Sequence, residues 1–507
     1  MLHRIRPKNP LQIMELTGNI NNGDIIMATL KETRITNELL ERHFASKIEV
    51  NPDFDRTLVS FQANKHLPEY RWYKYKESFS APLLFYLFNK LSFDCGKIID
   101  PFAGAGTTLF AASKFGMDSL GIELLPIGCE IIKARLAISN SNKEHLILQL
   151  NKWRNKKPWN RTKLSRPFQH LRITDGAFPN ETEKAIGHYL PLVDEEPNNL
   201  RIVLQFAVLC ILEEISYTRK DGQYLRWDSR AGRNIKKKFN KGPISSFDTA
   251  ITRKLTEIIQ DLEHDKFDLF PDFGIPKKQG KIELKKGSSL QILPQFPNES
   301  FDCLITSPPY CNRYDYTRTY ALELALLGVG EEELRDLRQT MLSCTVENRN
   351  KPDLNVYFST ETLQAVEKIF DSQAALNSIL KYLNQCKDKG LLNNNGLVRM
   401  IKNYFWEMSL CIYECARILK PDAPFIMVND NVRYQGVVIP VDLILSDIAR
   451  KTGFRIEKIW VLPQGKGNSS QQMGSHGREE LRKCVYFWRA PKAKLTSQQD
   501  RELVLQR

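Results

Sequence analysis

Short apolar runs alternate with amphipathic stretches along this chain. Seven runs read as strands: Ile98–Asp100, Ser119–Glu123, Ile282–Lys285, Phe301–Thr306, Pro424–Val428, Ile456–Val461 and Cys484–Trp488. They are too short for helices and favour β-branched or aromatic residues. Thr107–Lys114, Tyr404–Leu419 and Val441–Lys451 carry apolar residues at helical spacing instead. This order predicts an α/β fold: a doubly wound, mixed seven-stranded sheet, Rossmann-like in its winding, with large insertions. The last two strands are close enough in sequence to pair as a hairpin. In such a sheet ligands gather at the carboxyl ends of the strands, so the loops after the first four are where chemistry is expected.

With 507 residues the chain exceeds one ordinary domain. The strand positions divide it into an N-terminal extension over residues 1–60, a core formed by 61–140 and 281–490, an insertion over 141–280, and a polar tail over 491–507. A second excursion leaves the core at Cys311 and returns near Asn403. The extension is weakly patterned and shows no chemistry, and Met27 leaves room for an internal start.

The first strand runs into Asp100-Pro101-Phe102-Ala103-Gly104-Ala105-Gly106-Thr107-Thr108, a glycine turn opening a helix. Gly104 and Gly106 permit positive φ and close backbone approach, and the helix start offers unpaired N–H groups. Such a loop suits either a nucleotide or S-adenosylmethionine. The dinucleotide fingerprint lacks its third glycine and the phosphate loop its Gly-Lys-Ser/Thr, so both lose ground. The second strand ends in Glu123, 23 positions after Asp100, where open sheets place a carboxylate for ribose hydroxyls. The fourth strand ends in Ser307-Pro308-Pro309-Tyr310. Two prolines stiffen the loop and leave carbonyls free to accept. The Ser307 hydroxyl and the Pro308 carbonyl can accept from an exocyclic amine, and Tyr310 offers a face on which a base can stack. Taken alone, these four residues read more readily as a turn that closes a buried strand.

Together the glycine loop and Ser307-Pro308-Pro309-Tyr310 resemble the S-adenosylmethionine-dependent DNA amino-methyltransferases of restriction–modification systems. The resemblance implies cofactor contacts from Asp100, Phe102, Ala103, Gly104, Gly106, Thr107, Thr108 and Glu123, and catalysis at Ser307, Pro308, Pro309 and Tyr310. In that family Ser-Pro-Pro-Tyr is usual for cytosine N4 enzymes, whereas adenine N6 enzymes more often carry Asp or Asn before the prolines. Cytosine N4 is therefore the expected target and adenine N6 the alternative. The run 71–80, Arg71-Trp72-Tyr73-Lys74-Tyr75-Lys76-Glu77-Ser78-Phe79-Ser80, resembles the motif that closes over the methionine part of the cofactor, which adds Phe79 and Ser80; it also reads as an ordinary amphipathic aromatic segment. The third strand commonly ends in an acid for the adenine amino group. Here Ser288 stands at that position, with Ser289 beside it. The expected substrate is double-stranded DNA, from which the target base is flipped for direct transfer, and the expected functional partner is a cognate restriction endonuclease.

Charge strengthens the expectation of an anionic partner. Lys and Arg number 73 against 59 acids, a formal charge of +14. Between 217 and 241 nine basic residues face two acids, interleaved with aromatics. Arg219, Lys220, Tyr224, Arg226, Trp227, Arg230 and Arg233 are accordingly candidate DNA contacts, which makes the insertion over 141–280 the leading candidate for target recognition, against the plainer reading of a solvated basic loop. Asn312–Tyr320 must start near the substrate, and Gly465–Gly474 would cap the final hairpin. The ten cysteines include no Cys-x-x-Cys pair and read as reduced, buried thiols, with no metal site expected. No cysteine follows a proline, which argues against the cytosine C5 enzymes with their cysteine nucleophile. Pro271-Asp272 with Glu283-Leu284-Lys285 matches a nuclease pattern, but that last stretch is already needed as a strand. RNA or protein-glutamine methylation and a silent DNA-binding protein are the remaining alternatives. No apolar run approaches the ~20 residues of a membrane span, so a cytoplasmic protein is expected.

Overall fold

The computed structural model describes residues 22–91, 96–221, 224–233, 239–264, 278–463 and 480–492. The lysines 236–238, the pair Pro271-Asp272, the segment 465–474, Cys95 and the tail from 493 onward lie outside the described residues, as do the side chains of Asp221 and Tyr224.

The strands in chain order are β1 (Ile48–Val50), β2 (Lys97–Asp100), β3 (Asp118–Glu123), β4 (Thr218–Asp221), β5 (Tyr224–Trp227), β6 (Ile282–Lys286), β7 (Cys303–Thr306), β8 (Pro424–Asp430), β9 (Val432–Tyr434), β10 (Val437–Ile439), β11 (Arg455–Val461) and β12 (Lys483–Arg489). Eight of them form one sheet in the order β1-β11-β12-β8-β7-β2-β3-β6. Every pairing in it is parallel except those of β12, which runs antiparallel to β8 and to β11. All seven strands expected from the apolar runs are present, and β11 pairs with β12 as expected. The count of seven is corrected to eight by β1, which pairs with Ile459, Trp460 and Val461 at the sheet edge. Three residues are too few to show an alternation, so this strand exists through its pairing rather than its pattern.

Alternate strand residues feed two cores. Ile98, Cys303, Ile305, Ile426, Val428 and Val485 pack with α2 (Ala81–Lys90) and α3 (Thr107–Lys114) on one face. Ile99, Leu304, Phe425, Met427, Tyr486 and Trp488 pack with the helices Leu397–Ile418 and Val441–Lys451 on the other. From β2 the chain steps outward to β3 and β6 on one side, and later returns to β7 and β8 on the other. The β2/β7 border is thus the topological switch point, where the loops of neighbouring strands diverge and leave a crevice.

The insertion contributes α5 (Lys143–Lys156), α6 (Asn180–Asp194), α7 (Asn198–Ile215) and α8 (Phe247–Glu263), which follow α4 (Pro126–Ser139). Their apolar faces share one core with α4 residues Ile127 and Ile131, with Trp72, Tyr73 and Tyr75, and with Tyr320 and Leu322 of the second excursion. The basic stretch is not a loop: β4 and β5 form an antiparallel hairpin. Among the described residues no helix is long and apolar enough to cross a membrane. The nine described cysteines are free and all but Cys210 are buried, and no cluster among the described residues could hold a metal ion.

Candidate active site

The loop after β2 is organised by Asp100. Its carboxylate is buried and accepts hydrogen bonds from the Phe102 amide (3.0 Å), the Thr108 hydroxyl (2.7 Å) and the Thr306 hydroxyl (2.6 Å). Burial lifts its pKa to about 6 against the pull of these donors. One side chain thus ties the loop to α3 and to the end of β7. Gly106 caps α3 with φ of +76°, and a Cβ there would meet Ile132 at 2.8 Å, so this glycine serves backbone shape and packing.

Glu123 closes β3 beneath that loop. Its two oxygens accept from the Gly104 and Leu125 amides, each at 2.6 Å. Each oxygen keeps acceptor capacity for a further donor. Burial raises its pKa to about 7, partly opposed by these two bonds. Gly128 of α4 is what lets the helix come so close, since a Cβ there would lie 2.7 Å from Glu123 Cγ and from the Gly104 carbonyl.

The Ser307 loop follows β7. The Ser307 hydroxyl donates to the Val428 carbonyl (3.1 Å) and lies 3.1 Å from the Tyr310 hydroxyl. Burial raises the Tyr310 phenol well above its ordinary pKa, so it stays neutral. Lys483 sits 5.9 Å above the Tyr310 ring and 3.6 Å from Asp430.

A single cleft of about 740 Å³, counted to its open mouth, joins these elements. Of the residues singled out in the sequence, Phe79, Asp100, Phe102, Ala103, Gly104, Thr107, Glu123, Ser288, Ser307 and Pro309 line it, together with Ser289. Gly106, Thr108, Pro308 and Tyr310 are not among the lining residues; the first two support the loop from behind. Ser80 is also elsewhere: its buried hydroxyl caps α2 by accepting from the Leu83 amide (3.3 Å) and donates to the Leu58 carbonyl. Ser-Ala-Pro is a helix-start signal, and it explains Ser80 better than a ligand contact does. The Ser288 hydroxyl donates to the Thr340 carbonyl (3.3 Å), that of Ser289 to the Pro101 carbonyl.

Other cleft residues fall within the 71–80 and 312–320 stretches or, like Leu124, Leu125, Met341 and Leu342, carried no signal. Tyr75, Glu77, Ser78, Leu124, Leu125, Tyr316, Met341 and Leu342 also line it. The Tyr75 ring stacks on Tyr320 (centroids 5.2 Å apart, 10° between planes) and lies against Gly104. Ser78 and Thr107 hydroxyls meet at 2.7 Å. Glu77 accepts from the Tyr320 hydroxyl. Of the 71–80 segment, therefore, Tyr75, Glu77, Ser78 and Phe79 face the cleft, while Arg71 and Trp72 are held by Asp261 of α8, the indole at 2.7 Å.

The basic hairpin divides by strand period. Arg219 and Arg226 are register partners, and both are exposed. Arg226 also lies over the Phe239 ring, 4.4 Å away. Lys220 points the opposite way and is corrected as a DNA contact: it is 4% exposed and bonded to Glu323 (2.5 Å) and to the Tyr73 hydroxyl (3.0 Å). Alternation along β4 puts it there, between outward Arg219 and the hairpin turn. Arg230 is chelated by Asp228 (2.7 and 2.9 Å). Arg233 bonds the Arg172 and Asp175 carbonyls and lies 3.8 Å from the half-buried Trp227 ring. Lys220, Arg230 and Arg233 thus have structural partners, and Tyr224 is not described beyond its backbone. Glu283 and Lys285, the nuclease-like pair, lie on β6 3.8 Å apart.

A mostly parallel sheet with a cleft at its switch point fits a Rossmann-like methyltransferase. No family model matches the chain, and no solved structure matches it. Curated relatives do. The chain is 53% identical over 461 residues to the Type II methyltransferase M.AvaI of Nostoc sp., covering 90% of this chain and 93% of that one. It is 39% identical over 474 residues to the Type II methyltransferase M.BsoBI of Geobacillus stearothermophilus, covering 89% and 91%. A more distant likeness, 22% over 382 residues, links it to the Type II methyltransferase M.MvaI of Kocuria varians. The chain belongs to the Type II methyltransferases, the DNA methyltransferases of restriction–modification systems.

Proposed function

We propose that this protein transfers a methyl group from S-adenosylmethionine to N4 of cytosine at a specific site in duplex DNA, and so protects host DNA from a cognate restriction endonuclease. The observation that carries the reading is that Ser307 and Pro309 line the same cleft as Glu123 and Gly104. An amine-gripping loop and a ribose-type carboxylate thereby face one space. Serine before the two prolines, rather than Asp or Asn, is what favours cytosine over adenine.

The residues present fit the cofactor. Glu123 keeps acceptor capacity toward two ribose hydroxyls, and the Tyr75–Phe79 wall encloses the methionine end. Bound there, S-adenosylmethionine supplies an electrophilic methyl group on a positively charged sulfur. The chain's part is positioning. Because the Ser307 proton is engaged by the Val428 carbonyl, the Ser307 oxygen presents lone pairs to an incoming N–H. With the Pro308 carbonyl it holds the flipped base's amine, which favours a more tetrahedral nitrogen and aims its lone pair toward the methyl group. The Tyr310 ring offsets the cost of unstacking the base. The methylated ammonium is strongly acidic, so the proton leaves after transfer without a dedicated base.

The test is to incubate the protein with S-adenosylmethionine and mixed-sequence duplex DNA, digest to nucleosides and identify the product by mass spectrometry. N4-methylcytosine is expected. N6-methyladenine would keep the mechanism and correct the target, and methylation of RNA alone would sink the DNA reading.

Glu123 gives the cofactor site a pH dependence. A carboxylate raised to about 7 is charged above that pH and neutral below it, and ribose hydroxyls bind the charged form. Cofactor affinity should hold steady at alkaline pH and weaken by up to about tenfold per unit as pH falls below 7. Calorimetric titration of wild type and Glu123→Gln checks this. The variant should bind weakly with a flat profile; a wild-type affinity that does not change between pH 6 and 8 would remove Glu123 from the ribose site.

A further inference from the structure

A second concavity lies beside the cofactor cleft and belongs to neither the glycine loop nor the exposed face of the hairpin. It encloses about 1130 Å³ to its mouth and is walled by Arg172, Leu225, Arg318, Glu331, Arg335 and Arg338, among others. Four guanidinium groups thus meet one carboxylate. Arg318 and Arg338 share Asp315 (3.2 Å each), and Arg318 also reaches Glu347 (3.2 Å). Glu331 turns one oxygen to the Arg172 backbone amide (2.6 Å). The Arg335 Nε donates to the Glu331 carbonyl (3.2 Å). Among the described residues, neither Arg172 nor Arg335 has an ion pair, and both are exposed. With Glu331 as the one carboxylate of the wall, these two exposed guanidinium groups leave the groove with an excess of positive charge that suits an anion.

The groove shares two walls with the cofactor cleft. Tyr316 lines the cleft and Arg318 the groove, on the same short helix Tyr316–Thr319. Arg338 lines the groove while Met341 lines the cleft, a reach of at most about 11 Å along the chain. The groove and the cleft therefore adjoin through these two elements, close enough for one strand of a nucleic acid to reach both.

We infer that this groove is a seat for the DNA sugar–phosphate backbone beside the flipped nucleotide, with Arg172 and Arg335 neutralising phosphates. The inference rests on the DNA-methylation reading above. It separates two tasks: the outward Arg219–Arg226 pair is left for base edges or outer phosphates, and the groove fixes the register of the strand that delivers the base. Contacts of this kind add affinity without sequence preference and make it salt-dependent.

The test compares wild type, R172A/R335A and R172K/R335K by fluorescence anisotropy with a duplex from about 50 to 200 mM salt, alongside cofactor affinity and methyl transfer to DNA. Loss of two phosphate contacts should make the slope of log K against log salt shallower by about 1.8. Binding should weaken equally for unrelated sequences, with cofactor affinity unchanged. The lysine variant should keep most of the wild-type slope. An unchanged slope in R172A/R335A would overturn the seat, as would a lysine variant that behaves like the alanine one, since that would point to packing. Methyl transfer to DNA by wild type stands apart from both results; if wild type neither binds nor methylates duplex, the underlying reading fails and the groove assignment falls with it.

Discussion

Tyr310→Ala is expected to reduce methyl transfer by about 10³-fold or more while cofactor affinity stays within about twofold of wild type. The ring is asked for two things: stacking, worth about 1–3 kcal/mol per base, and orientation of the base against Ser307, where loss of one positioned group costs about 10²–10³ in rate. Tyr310→Phe separates ring from hydroxyl. It keeps the stacking face and loses only the 3.1 Å contact with Ser307, so it should retain activity within about tenfold, since a single neutral hydrogen bond contributes about 1 kcal/mol. Single-turnover transfer from labelled cofactor, read beside equilibrium cofactor binding, checks both variants. A Tyr310→Ala protein that no longer binds cofactor would take this residue out of the base site.

Lys220→Ala should be the most destabilising single change in the hairpin, at about 3–5 kcal/mol, because it strands Glu323 as an unpaired buried charge. Lys220 and Glu323 are 4% and 1% exposed at their side chains and meet at 2.5 Å, with the Tyr73 hydroxyl bonded to both. Replacing both partners, Lys220→Met with Glu323→Leu, should recover much of the loss, since apolar isosteres avoid the desolvation cost. Urea unfolding of the two variants measures this. The salt dependence of DNA binding should not change in the double variant, whereas a phosphate contact at Lys220 would make it shallower.

What the sequence disclosed follows from how locally each feature is encoded. The β2 and β7 loops were readable because glycine and proline act on the backbone where they stand. The buried strands were readable because their apolar runs are continuous. Ser80 went astray through a competing local meaning, the helix cap, which outweighed a family motif. Lys220 went astray because composition counts charges without regard to facing; once β4 is known to be a strand, its alternation with Arg219 turns it inward. β1, Asp261 beneath Trp72, and the Arg172–Arg335 groove join residues up to hundreds of positions apart, and no short pattern marks them.

Segment 71–80, part of which lines the cleft, is sewn to the insertion at four points: Arg71 and Trp72 to Asp261, the Trp72 carbonyl to Lys254, Lys76 to the Lys220 carbonyl, and Tyr73 to Lys220 itself. Exchange of residues 141–280 between relatives would therefore cut through the wall of that cleft. A chimera should inherit a new target only if segment 71–80 and the stretch around Glu323 travel with the graft, so these three parts of the chain are expected to have diverged as one unit of inheritance.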